Sequence, residues 1–222
     1  MNHKKITQVS LISVTTLLLA FSSSYATTTT VDSAKYFMMK DGAKQTYHNT
    51  ETVHKDGSKD ITRSYDSTTY IRHCTGHDSS CEYTNDNGKQ SVTELYKVEN
   101  KGVYSYLTKV NDNVVTSPTQ EQTRVVLLLN TTDNTKYESV DKIPSITVNG
   151  NEYESCVKLS KNEFLSGKDM YNYNSDKKER SITRYFCEGV GMVKQDADTK
   201  YYLKDKLVAE HIYKTMLKPT SK

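Results

Sequence analysis

Past an apolar segment near its start, the chain alternates polar and apolar positions in short stretches divided by Gly, Asn and Asp, the pattern of antiparallel strands. Thr46 to His54 and Ile61 to Tyr65 flank Lys55-Asp56-Gly57-Ser58. Thr68 to Cys74 follows, then Cys81 to Asn85 and Ser91 to Glu99 around Asp86-Asn87-Gly88. Asp-Gly and Asn-Gly tolerate the positive φ of tight primed turns, so both junctions predict hairpins. Val103 to Asn111 turns at Asn111-Asp112-Asn113 into Val114 to Thr116, and Pro118 stops that piece. Arg124 to Asn130 is the one uninterrupted apolar run after the first segment and is expected at the centre of the core, covered on both faces. Asn149-Gly150-Asn151, between Ser145 to Val148 and Glu152 to Leu159, is the strongest hairpin signal. Ser160 to Ser181 shows little period and predicts a long excursion with a turn of helix around residues 162–165. Ile182 to Cys187, Met192 to Gln195 and Tyr201 to Leu203 follow as strands, with Asp196-Ala197-Asp198 between the last two. Leu207 to Leu217 fits a strand or an amphipathic helix, and its first half reads better as strand. Val31 to Met39 predicts a short helix ended by Gly42. The fold class is mainly β: a curved antiparallel sheet, as a half-barrel or sandwich, with a short N-terminal helix.

Lys4 and Lys5, the apolar run Ile6 to Phe21 and the small residues of Ser24-Tyr25-Ala26 have the order of a secretory signal, with cleavage expected after Ala26. Residues 27–222 are then one β-rich domain, periplasmic or secreted, with no membrane span left after cleavage. The formal charge is +3 and no Lys/Arg block stands out, which removes the electrostatic footprint of a nucleic-acid binder or a polybasic membrane surface. Seventeen Tyr against four Phe and no Trp suits a wide sheet with half-exposed faces.

The four Cys fall in pairs, Cys74 with Cys81 and Cys156 with Cys187, and an even count outside the cytoplasm reads first as disulfides. Three pairings are open to four Cys. The favoured one closes a small loop from Cys74 to Cys81 and ties two strands through Cys156 and Cys187. The competing reading is a metal site, because His73 and His77 stand among Cys74 and Cys81. Oxidation removes the thiolates such a site needs, so neither metal nor other cofactor is expected.

No His-Glu-x-x-His, Gly-x-Ser-x-Gly or Walker sequence occurs, and His48, His54 and His211 stand apart. Glu152 and Glu154 share a strand face, as chance allows in a chain this rich in charge. A non-enzymatic role is expected.

Two segments together carry a resemblance: Tyr36-Phe37-Met38-Met39-Lys40-Asp41-Gly42-Ala43-Lys44-Gln45-Thr46-Tyr47, and Arg184-Tyr185-Phe186-Cys187-Glu188-Gly189-Val190-Gly191-Met192-Val193-Lys194. They resemble the opening and closing strands of poorly characterised exported bacterial β-sheet proteins, which carry a Tyr-x-x-Gly-Val-Gly-x-Val-Lys stretch before a last strand. Gln45 or Lys44 stands where those proteins have Trp. The resemblance implies a fold similar to the curved half-barrel of periplasmic lipoprotein carriers, which cup a lipid on the concave face, and it attaches no catalytic role to any residue. Two partners follow as expectations. One is an apolar ligand on a concave face lined by Val125, Leu127 and Leu129, with Tyr104 and Tyr106 beside them. The other is a protein partner at Tyr-rich edges or at the Ser160 to Ser181 excursion, with an enzyme inhibitor as a lesser variant.

Overall fold

In a computed structural model, residues 33–37, 40–75, 80–99, 102–111, 113–116, 124–128, 139–170 and 173–219 are described. Twelve strands form one antiparallel sheet. The first meander comprises β1 (Lys44–Lys55), β2 (Ile61–Thr75), β3 (Ser80–Asp86), β4 (Ser91–Glu99) and β5 (Gly102–Val110). Along one side of β5 lie β6 (Asn113–Thr116) and then β7 (Arg124–Leu128). The second meander comprises β8 (Ser139–Val148), β9 (Asn151–Met170), β10 (Ser175–Cys187), β11 (Gly191–Leu203) and β12 (Lys206–Leu217). The two meet where β1 pairs with β12, Tyr47 opposite Leu217 through Lys55 opposite Ala209, so the order runs β6-β5-β4-β3-β2-β1-β12-β11-β10-β9-β8.

The predicted hairpins form where the turn chemistry places them. Asn149 and Gly150, at φ 50° and 79°, both take the left-handed conformation of a primed turn between β8 and β9. Asp86 Oδ1 accepts the Gly88 amide at 2.7 Å in the turn between β3 and β4. Of the helix predicted over 31–39, residues Ser33–Tyr36 form a single turn, α1.

Three expectations are corrected. The apolar run placed at the centre supplies β7, which pairs only with β5 among the described residues and sits at the margin of the sheet. The Ser160 to Ser181 excursion is instead two long strands: β9 and β10 stay in register from Cys156 opposite Cys187 to Ser166 opposite Lys177. Asp196-Ala197-Asp198 does not divide β11. Ala197 is buried, while Asp196 pairs with Lys194 at 2.8 Å and Asp198 with Lys200 at 3.5 Å, so the carboxylates are accommodated on the opposite face. Residues 207–217 are strand throughout.

The sheet is rolled, and one aromatic residue shows by how much. Phe37, just after α1, has its ring 5.3 Å from Tyr96 on β4 and 6.4 Å from Phe186 on β10. Six strand spacings separate β4 from β10, which on a flat sheet would be about 29 Å. One ring touches both because the concave face curls around it. Phe37 thereby joins Tyr36, Tyr96, Val157, Leu159 and Phe186 in a buried cluster, and the Gly189 amide anchors α1 by donating to the Lys35 carbonyl at 2.8 Å. The sheet remains open, since β6 and β8 are not paired with each other among the described residues.

Both expected disulfides are present. Cys156 and Cys187 face each other across β9 and β10, and Cys74 bonds Cys81 at the junction of β2 and β3. On the chain-entropy model the wider loop contributes about 3 to 4 kcal/mol and the narrower about 2.5 kcal/mol. Residues 1–32, which include the signal-like segment, lie outside the described residues.

Candidate functional site

A cavity of about 420 Å³ lies on the concave face beside the Phe37 cluster, lined from seven consecutive strands, β4 through β10 in sheet order. Strand alternation dictates its lining. Gln45, Tyr47 and Asn49 of β1, Tyr65, Ser67 and Thr69 of β2, and Tyr213 and Thr215 of β12 are every second residue and share one face.

The floor is polar although it is buried. Asn49, 1 % exposed, donates from Nδ2 to Ser67 Oγ at 3.0 Å and accepts at Oδ1 from the hydroxyls of Tyr213 at 2.8 Å and Thr215 at 3.0 Å. This one amide joins β1 to both neighbours. Asn85 donates to Thr69 Oγ1 at 3.1 Å. The Tyr47 hydroxyl lies 3.0 Å from both Gln45 Oε1 and the Met192 carbonyl, while Gln45 Nε2 donates to the Val190 carbonyl at 2.5 Å. Burying such groups is costly unless each finds a partner, and here the partners are one another.

The walls add opposite charges on opposite sides. Glu94 on β4 accepts the Tyr96 hydroxyl, and Arg184 on β10 donates from Nε to Gln195 Oε1 at 2.7 Å. Burial holds the hydroxyls of Tyr47, Tyr83 and Tyr65 above the ordinary tyrosine range, helped at Tyr65 by its hydrogen bond with Tyr213. These phenols stay protonated at neutral pH and act as hydrogen-bonding groups.

Along the strands the cavity changes character. At the α1 end stand Phe37, Tyr83, Tyr96, Phe186 and Met192, with the Tyr83 and Tyr96 rings 4.7 Å apart. Further along β1, towards its hairpin with β2, come Ser67, then Asn49 with Thr215 and Tyr65 on either side, then Tyr213.

Of the residues predicted to bind a ligand, Tyr104 and Val125 are opposite one another in the pairing of β5 with β7, and Leu127 is opposite Val103. Tyr106 lies on β5. Their side chains, and Leu129 altogether, fall outside the described residues; β5 adjoins β4, whose Val92, Glu94 and Tyr96 line the cavity. His73 is exposed and lies 2.9 Å from Glu82, while His77 falls outside the described residues. The sulfurs of Cys74 and Cys81 are bonded to each other. His48, His54 and His211 also face carboxylates, Asp66, Asp60 and Glu51, at 2.7 to 3.0 Å. Glu152 accepts from Ser145 across β8 and β9. The polar floor escaped the sequence reading, because β1 and β2 carry polar residues on both faces and nothing in the pattern marks which face is enclosed.

No protein-family model matches the chain, and no curated protein does. Among solved structures, a LolA superfamily protein from Nitrosomonas europaea aligns over 86 % of this chain and 91 % of its own, at 7 % identity and a TM-score of 0.24. A DUF1329 family protein from Desulfovibrio piger aligns over 81 % and 87 %, at 11 % identity and a TM-score of 0.23. Scores this low carry no argument about function.

Proposed function

We propose that this chain is an exported binding protein of a bacterial cell envelope that takes an apolar or amphiphilic small molecule into its concave cavity and acts by binding, without catalysis. The observation that carries this reading is a cavity of about 420 Å³ on the concave face of a rolled sheet, beside the buried cluster around Phe37. That volume is in the range of small-molecule sites, and aromatic walls with a few convergent polar groups are their usual lining. The signal-like start and two disulfides support export. Protonated phenols and mutually bonded amides support a role in holding a ligand.

Titration of the native protein with Nile red, a neutral environment-sensitive dye, tests this. Saturable binding of one dye per chain, lost on replacing Phe186 and Met192 by more polar residues of similar size, is expected. Failure of the folded protein to bind would overturn it. A second reading, a protein-binding surface, is favoured by exposed apolar side chains: Phe164 on the outer part of β9, 71 % exposed, and Ile61 and Leu207 beside the β1–β2 and β11–β12 turns. Cross-linking through a cysteine placed at Phe164 tests that surface apart from the cavity.

A further inference from the structure

Seven polar side chains are buried among the described residues, and five of them, Gln45, Asn49, Ser67, Thr69 and Thr215, line this one cavity. None of the seven is charged. Formal charge in the lining comes from Glu94 on β4 and Arg184 on β10, one of each sign; Arg184 stands level with Thr215, with Gln195 between them accepting from its Nε. From this, and resting on the binding role proposed above, we infer that the ligand is an amphiphile with an uncharged, hydroxyl- or amide-bearing head group. The head lies on the Asn49, Ser67, Thr215 and Tyr213 network and the apolar part points towards Phe37, Phe186 and Met192.

The reasoning runs through desolvation. An ionised head brought onto this floor would exchange its hydration for amides and hydroxyls, a large cost in an enclosed site, and the walls offer one charge of each sign, with Arg184 already donating to Gln195. A hydroxyl or carboxamide gives up far less and finds groups that match it. Each floor amide and hydroxyl has more than one hydrogen-bonding position, so a ligand hydroxyl can join the existing links or replace one of them. The tyrosine rings at that end, Tyr65 and Tyr213, offer flat faces with a polar rim. A bare hydrocarbon would fit the aromatic end but would cover the polar floor with nothing to bond. Along β1 the apolar rings of Phe37 and Phe186 stand at the α1 end, beside Gln45 and Tyr47 whose polar groups bond each other and the Val190 and Met192 carbonyls, while Asn49, Thr215 and Tyr213 lie beyond, which sets the direction of insertion.

Calorimetric titration of the intact protein with two probes of equal chain length, n-octyl β-D-glucoside and sodium octanoate, both below their micellar concentrations, separates the alternatives. The glucoside is expected to bind at least tenfold more tightly. Thr215→Val, which keeps shape and removes one hydroxyl, should weaken the glucoside severalfold and leave octanoate unchanged. Asn49→Leu should weaken the glucoside at least tenfold, with folding checked by circular dichroism, and Thr215→Val decides the matter should Asn49→Leu not fold. Octanoate binding as tightly as the glucoside, or a glucoside affinity indifferent to Thr215→Val, overturns the uncharged head and leaves the cavity role standing. Binding of neither probe, together with failure to take up Nile red, overturns the binding role itself.

Discussion

Two halves of the concave face, β9 with β10 and β1 with β2, are both buried and differ in chemistry. On β9 and β10 the inward positions include Val157, Leu159 and Phe186, which cluster with Phe37; on β1 and β2 they are Gln45, Tyr47, Asn49, Ser67 and Thr69. The first half gains from every ångström of apolar area withdrawn from water. The second gains little, because its hydrogen bonds only replace those made to water, and it stands to lose much if any one is broken. Burial on one sheet therefore has two energetic characters, and the half that contributes least to stability is the half that supplies the polar floor of the cavity.

Substitutions on the two sides should separate these characters. Leu159→Ala is expected to lower the unfolding free energy by about 3 to 5 kcal/mol through the lost contacts and the void, measured by urea titration, with dye binding by the folded protein unchanged. Replacing Cys156 and Cys187 together by Ala should cost about 3 to 4 kcal/mol, against about 2.5 kcal/mol for Cys74 and Cys81, read as two thermal midpoints in that order. Asn49→Ala leaves the Tyr213, Thr215 and Ser67 hydroxyls short of a partner and should cost about 1 to 3 kcal/mol while abolishing glucoside binding. A stability loss on both sides with no difference in binding would erase the division.

The smallest expected effect concerns alkaline pH. Burial raises the Tyr47 hydroxyl above its unfolded value, so the folded chain keeps a proton that the unfolded chain releases above about pH 10. Its contribution is therefore complete below that pH and declines as pH rises further. Tyr47→Phe should cost about 1 kcal/mol at neutral pH, from the lost hydrogen bonds. It should also flatten the fall in urea midpoint between pH 9 and about 11.

Turn chemistry made most of the sheet legible. Asp56-Gly57 and Asn149-Gly150 announce reversals that no other conformation satisfies as well, and the strands on either side follow. The sequence misleads where strands run past the core. Lys161, Glu163, Lys177 and Glu179 lie on the extended part of β9 and β10, where charged pairs replace an apolar period, and only the register with a neighbour reveals a strand. The run Arg-Val-Val-Leu-Leu reads as central on hydropathy alone, yet among the described residues β7 is joined to the sheet by β5 alone. The site was harder still. Asn49 looks like any polar strand residue until the curl of the sheet encloses it, and that curl depends on Phe37 meeting Phe186, residues 149 positions apart in a chain whose numbering gives no sign of it.

The pairing of β1 with β12 also bears on when the molecule can form. It ties residues 47–55 to residues 209–217, so the middle of the sheet is completed by one of its earliest strands and its last. Such long-range closure is slow, since the chain's freedom is surrendered before the contacts that reward it exist. While the C-terminal strand is still missing, β1 has one neighbour, the cavity floor lacks Tyr213 and Thr215, and Asn49 lacks two of its partners. A polypeptide leaving the cytoplasm from its amino end would reach the far side with its centre unmade, and would stay threadable until its final strand had followed.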